Sequence, residues 1–321
     1  MIDNNNFSPL YIVGNVNIDL IMGQLDSWPQ RGTEVLLDTN TWRVGGSAGN
    51  SALAAQALGI PSHLVANQSY DLWGQWLAEH FQQSHRWPKV DIPTSITVGI
   101  THSDSERTFF SAKGNVEKLS LTEVLEQLPE QVPPQTVVLL SGAFLTLSLL
   151  DDYLELLTTL KQRQFTVALD CGWPPQQWKN VRKQVQQWLP WIDLLLVNEI
   201  EIQQLTEHSQ LSSAVEHLAA KMPKTARIIV KRGANGASSY IKQHWDHCQA
   251  PNVKVVDTVG AGDIFNTGYL AAFILNKSHA EALRWGITLA SQAISTTPRQ
   301  LMNKQQLTLA MTVGDMTDGE S

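Results

Sequence analysis

Cysteine is scarce. Cys171 and Cys248 are the two in 321 residues, and no CxxC occurs. That excludes a disulfide framework and argues against a zinc site, so the sequence predicts a chain at home in a reducing cytoplasm. Excess positive charge is absent too. The net charge is −7, spread along the chain, which argues against nucleic acid or an anionic membrane as the main partner. An anionic ligand must then be held by local donors. No apolar run nears the roughly 20 residues that span a bilayer. The opening MIDNNNFSPL is polar and acidic, without the basic and apolar regions of a leader. Two nucleotide fingerprints are also missing, GxGxxG and GxxxxGK[ST], which disfavours a dinucleotide oxidoreductase and a P-loop kinase.

What is present points to an α/β protein. From Gln135 onward, short apolar runs alternate with helical patterns. Strands are expected at 137–140, 165–169, 193–197 and 227–230, and helices at 147–160, 181–188 and 279–295. Alternation of this kind predicts βαβ units and a mostly parallel sheet covered on both faces. Ligands of such sheets lie beyond the carboxyl ends of the strands, where Asp170, Asn198 and Glu201 fall. A further strand is expected at 10–13. Residues 23–43 and 94–112 break the pattern with period-two alternation, and Ser103-Asp104-Ser105 suits a hairpin turn. The acidic segment 314–321 is expected to be disordered.

Several polar groups stand out. Asn15, Asn17 and Asp19 share one side of an extended segment. They suit an edge that binds hydroxyls, or a strand turning into solvent. Gly45-Gly46-Ser47-Ala48-Gly49-Asn50 reads as a glycine-rich loop before a helix at 51–58. Asn198 and Glu201, one helical turn apart, could hold the waters of a Mg²⁺ or could simply open a helix. Lys231 and Arg107 could reach a ligand or be solvated. His244-Trp245-Asp246-His247-Cys248 lacks zinc spacing and reads as a surface strand.

The most specific stretch is DTVGAGDIFNTGYL, Asp257 to Leu270. Gly260-Ala261-Gly262 can turn several backbone amides one way at the head of a helix, where the dipole favours an oxyanion. Asp263 is expected to cap that helix and to stand beside the bound anion. A carboxylate near a phosphoryl group and an alcohol is what a kinase needs to take the hydroxyl proton.

This stretch resembles the C-terminal signature of the ribokinase-like, or PfkB, carbohydrate kinases. GGxxxN at Gly45 to Asn50, N-x-D at Asn17 to Asp19 and N-x-x-E at Asn198 to Glu201 are similar to further elements of that family. The resemblance runs from about Tyr11 to about Pro298. It implies a three-layer α/β sandwich forming one domain over 1–313, with a small β-sheet lid built from segments 23–43 and 94–112. It implies ATP-dependent phosphorylation of a sugar or nucleoside, with Asp263 as general base and Gly260, Ala261, Gly262 and Asp263 as the anion hole. Asn17, Asp19, Gly45, Gly46, Asn50 and Arg107 would contact the acceptor. Asn198, Lys231 and Gly233 would face the nucleotide, and Asn198 with Glu201 would hold Mg²⁺ through water. Asp257 and the Val259 carbonyl would match a monovalent cation site, with potassium the expected ion. Family lids often pair as homodimers. Ser47 stands where ribokinase-type members carry lysine, and Ser also occurs there in nucleoside and other sugar kinases, so the acceptor stays open. The other reading is a catalytically silent sugar- or nucleotide-binding member of the same fold.

Overall fold

The computed structural model describes residues 9–82, 84–103 and 107–317. At its centre is an eight-stranded sheet. Across it the strands run His244–Cys248, Ala237–Ile241, Arg227–Lys231, Leu194–Asn198, Thr166–Asp170, Val137–Ser141, Leu10–Gly14 and Ser62–Val65. The first two pairings are antiparallel and the remaining five parallel.

The strand sequences explain the layers. Successive side chains leave a strand on opposite faces. Val138 and Leu140 enter one core and Val137 and Leu139 the other, all fully buried. Leu195 and Val197 against Leu194 and Leu196 repeat the split. An unbroken apolar run therefore needs cover on both sides. Helices Tyr153–Gln162, Trp178–Trp188 and Leu211–Ala219 supply it on one face. Helices Ser47–Leu58, Ala261–Ile274 and His279–Ile294 supply it on the other. Truncating one central residue, Leu139→Ala, is expected to cost about 2–5 kcal/mol in transfer and cavity energy.

Some expected boundaries move. The glycine-rich stretch is not a loop through Asn50, because the helix already begins at Ser47. The helix expected over 147–160 is two pieces, Leu147–Leu150 and Tyr153–Gln162. The run His244–Cys248 is the edge strand of the sheet, and no cluster of three metal-ligating side chains occurs among the described residues.

A second sheet has the order Thr39–Gly45, Asn17–Leu25, Ile96–His102, Arg107–Ser111. It draws on both segments with period-two alternation, although the first holds only the end of one strand, to Leu25, and most of another, from Thr39. Residues 104 and 105 of the expected hairpin turn lie outside the described residues. The helix Lys304–Thr317 takes in the start of the acidic segment, whose remainder also lies outside them.

Parallel neighbours in register bring their carboxyl ends to one rim. Asn198 is opposite Lys231, Asp170 opposite Ser141, and Ser141 opposite Gly14. The polar residues that end these strands are thereby gathered in one place.

Candidate active site

The helix Ala261–Ile274 begins at that rim. Its N-cap is Gly260, at φ 79°, and no side chain caps it. Asp263 does not cap it as expected. The helix starts two residues earlier, so the carboxylate already lies inside the first turn, and its Oδ2 accepts from Asn50 Nδ2 at 2.9 Å. The Ala261 amide bonds the Thr258 carbonyl at 3.2 Å. Among the described residues, the amides of Gly260, Gly262 and Asp263 have no protein acceptor. Unpaired amides at a helix head, with the positive end of its dipole, suit an oxyanion.

These residues open onto a cavity of about 690 Å³. Its lining has a polar part, including Asp170, Asn198, Glu201, Lys231 and Gly260 to Asp263, and an apolar part, including Pro251, Val253, Val255, Ile287, Ala290 and Ile294. Gly233, at φ 56° with open space where a Cβ would stand, lies on the same wall.

The polar part is a charge cluster. Lys231 Nζ donates to Asp170 Oδ2 at 2.7 Å and to Asn266 Oδ1 at 3.2 Å. Asn266 also donates to Asp170. Burial alone would lower the Lys231 pKa, but Asp170 and Glu201 hold it above the ordinary lysine value. Lys231 is therefore an ion-paired group beside the anion cup and not a solvated one. Asn198 and Glu201 cap one helix reciprocally, each accepting from the other's backbone amide at 2.8 Å. Both also line the cavity. Burial, then the neighbouring Asp170 charge, pushes the Glu201 carboxyl up to about 7. Burial and Asp170 likewise push Asp263 up to about 8, against the opposing Asn50 hydrogen bond and Lys231. These acid oxygens do not form a direct ligand cluster, so a hard divalent cation here would keep most of its waters.

On the far side of Asp263 stands the second group of predicted residues, outside the cavity lining. Asn15 Nδ2 donates to Asn17 Oδ1 at 3.2 Å, and Asn17 Nδ2 to Asp19 Oδ1 at 2.9 Å. All three are buried. Burial raises the Asp19 pKa despite Arg43, whose Nε is 3.8 Å away. Gly45 is forced by this packing, because any Cβ there would collide with the Asp19 carboxylate. Arg43 Nη1 reaches Asp257 Oδ2 at 2.5 Å and Arg107 Nη1 reaches Asp257 Oδ1 at 3.0 Å. Burial would raise the Asp257 pKa, but Arg43 and Arg107 bring it below the usual carboxylate value. Arg107 also donates to Thr258 Oγ1 and to the Val256 carbonyl, at 3.3 and 3.4 Å. Arg299 donates to the Val259 carbonyl and to Asn50 Oδ1, both at 3.1 Å.

A family comparison matches residues 9–305 to the pfkB family carbohydrate kinases. The chain belongs to that family. The Arabidopsis thaliana ribokinase is 26% identical over 302 residues, covering 89% of this PfkB chain and 76% of the relative. The Haemophilus influenzae 2-dehydro-3-deoxygluconokinase is 30% identical over 192 residues, covering 55% and 59%. The solved structure of the Arabidopsis ribokinase complexed with ribose and ATP superposes with a TM-score of 0.75 at 23% identity, covering 95% of this chain and 98% of that one. The three-layer PfkB fold is thus shared over 95% of this chain.

The sequence marks Asp170 by its place at a strand end, where ligands of such sheets lie, and assigns no role to three further polar residues of this PfkB site. Asn266 lies three residues past Asp263 on the same helix face, and that spacing could have found it. Arg43 is the register partner of Asp19, visible only once the strands are paired. Arg299 follows the end of the recognisable resemblance, and no local pattern marks it.

Proposed function

We propose that this PfkB-family chain transfers the γ-phosphoryl group of ATP to a hydroxyl of a sugar or nucleoside. The observation that carries the reading is the place of Asp263. Its carboxylate stands in the first turn of a helix whose unpaired amides face the same cavity. Base and anion cup are therefore fixed to each other by one rigid element.

The apolar part of the cavity takes the base of ATP, and the polar part takes its phosphates. Asn198, Lys231 and Gly233 face the nucleotide. Asn17, Asp19, Gly45, Gly46, Asn50 and Arg107 form the acceptor side, with the Asp19 carboxylate accepting hydrogen bonds from hydroxyls and the Asn17 amide able to pair with them as donor or acceptor. Asp263 accepts the proton as the acceptor oxygen attacks phosphorus and the bond to the ADP oxygen breaks. The amides of Gly260, Gly262 and Asp263 stabilise charge on the moving phosphoryl group, with the Ala261 turn holding them in line. Asn198 and Glu201, through water, would hold Mg²⁺, which supplies charge neutralisation on the phosphates. The small sheet serves as a lid that excludes water and so prevents idle ATP hydrolysis.

The test is an ADP-coupled assay of the purified chain over a panel of sugars, sugar acids and nucleosides. ADP formation dependent on one acceptor, lost in Asp263→Asn, supports the reading. Turnover that survives Asp263→Asn sinks it.

A further inference from the structure

We propose that guanidinium groups of this chain occupy the place of a monovalent cation beside the anion cup, so that phosphoryl transfer runs without potassium or sodium. The proposal rests on the kinase reading above and concerns one loop, residues 256–260.

A cation at that loop would need the Asp257 carboxylate and the Val259 carbonyl as ligands. Neither is free. Asp257 Oδ2 takes Arg43 at 2.5 Å, and Oδ1 takes Arg107 at 3.0 Å and the Val259 amide at 2.8 Å. The Val259 carbonyl takes Arg299 Nη1 at 3.1 Å. Three fixed positive charges converge where a fourth would have to sit, and like charges in a poorly solvated place repel strongly. The residues present do not suit a monovalent ion.

Arg299 does what such an ion could do, and more. Its guanidinium pins a carbonyl of the loop that leads into the helix. It also packs against Gly260, where a Cβ would come within 2.8 Å of Nη1. Its second nitrogen fixes the Asn50 side chain by bonding Oδ1, which leaves Asn50 Nδ2 to donate to Asp263 Oδ2. Arg299 is accordingly a positioning residue for both the cup and the base.

The experiment compares kcat and KM in buffers whose counter-ion is tetramethylammonium, with potassium or sodium chloride added at matched ionic strength. The wild-type rate should change by less than about twofold, because the charges are built in. A saturable rise of about tenfold or more with potassium overturns the proposal. Arg299→Ala should lose about 10²-fold or more in kcat, with a smaller change in KM, since misplacing a reacting group is costly. Free guanidinium ion at low concentration should restore part of that rate, which a merely structural lesion would not allow. Wild-type kcat in Arg299→Ala without potassium also overturns it. An equilibrium readout separates this from failure of the kinase reading. The ligand-free protein should melt at the same temperature in potassium and tetramethylammonium salts, whatever its substrate, and a potassium-specific rise would refute the built-in charge.

Discussion

The side chain of Asn50 donates to the carboxylate of Asp263 across 2.9 Å, joining the first turn of one helix to the first turn of another 213 residues away. In the proposed mechanism Asn50 belongs to the acceptor side and Asp263 to the phosphate side, so this contact is where the two halves of the proposed site meet. A general base acts through geometry first and pKa second. Asp263→Asn keeps the shape and removes the base. It should lower kcat by about 10²–10⁴-fold while ATP binding, followed by calorimetry, stays close to wild type.

The pH profile follows from the raised Asp263 pKa, with the sign fixed by its being an acid that must be ionised to act. In the free enzyme kcat/KM should rise with pH through about 8 and level off above it. Stability runs the other way. The folded-state value lies above the ordinary 3.8, so the group's favourable contribution is whole below 3.8 and is lost as pH rises toward 8. Asp263→Asn should therefore melt above wild type at pH 8, with the gap closing near pH 4. A flat rate profile between pH 6 and 9 would count against this assignment.

The two glycines of the cup predict opposite responses. Gly260 has φ 79°, and a Cβ would crowd Arg299 at 2.8 Å and Asn50 at 3.0 Å. Gly260→Ala should cost about 1–3 kcal/mol of stability through backbone strain. At Gly262 a Cβ meets only the flexible Lys231 side chain, Nζ at 3.5 Å and Cδ at 3.9 Å. Gly262→Ala should keep the wild-type melting temperature and still raise KM for ATP, because its methyl stands in the phosphate's path. Urea titration and initial rates on the pair decide the matter.

Lys231 and Asp170 form a buried pair, and breaking one side strands the other. Lys231→Met should cost about 3–5 kcal/mol in denaturant unfolding, while Lys231→Met with Asp170→Asn should recover a good part of it. Additive losses in that double-mutant cycle would mean the two residues do not interact.

The layers were legible in the sequence for a simple reason. Val137 to Leu140 and Leu194 to Val197 are continuous apolar runs, and continuity in a strand means burial on both faces. The cup was legible because free amides need glycine and a helix start, and both are written locally. The arginines were not. Arg43 acquires its partner only when Thr39–Gly45 pairs with Asn17–Leu25, and Arg299 acquires its own only when the chain returns to Val259 from 40 residues away. A bare arginine carries no record of such long-range meetings. The same holds for the boundary at Ser47, since Gly45 and Gly46 read as flexible until Asp19 fills the room beside the first and Asn15 and Asn17 the room beside the second.

Asp257 gathers one arginine from each outer strand of the small sheet, Arg43 from Thr39–Gly45 and Arg107 from Arg107–Ser111. A single carboxylate thus works as a clasp, tying a flap's two margins to the threshold of the phosphate cup. Under the proposed mechanism any tilt of that flap tugs on the cup itself, so whether the acceptor is enclosed and whether the cup is in order become a single mechanical question.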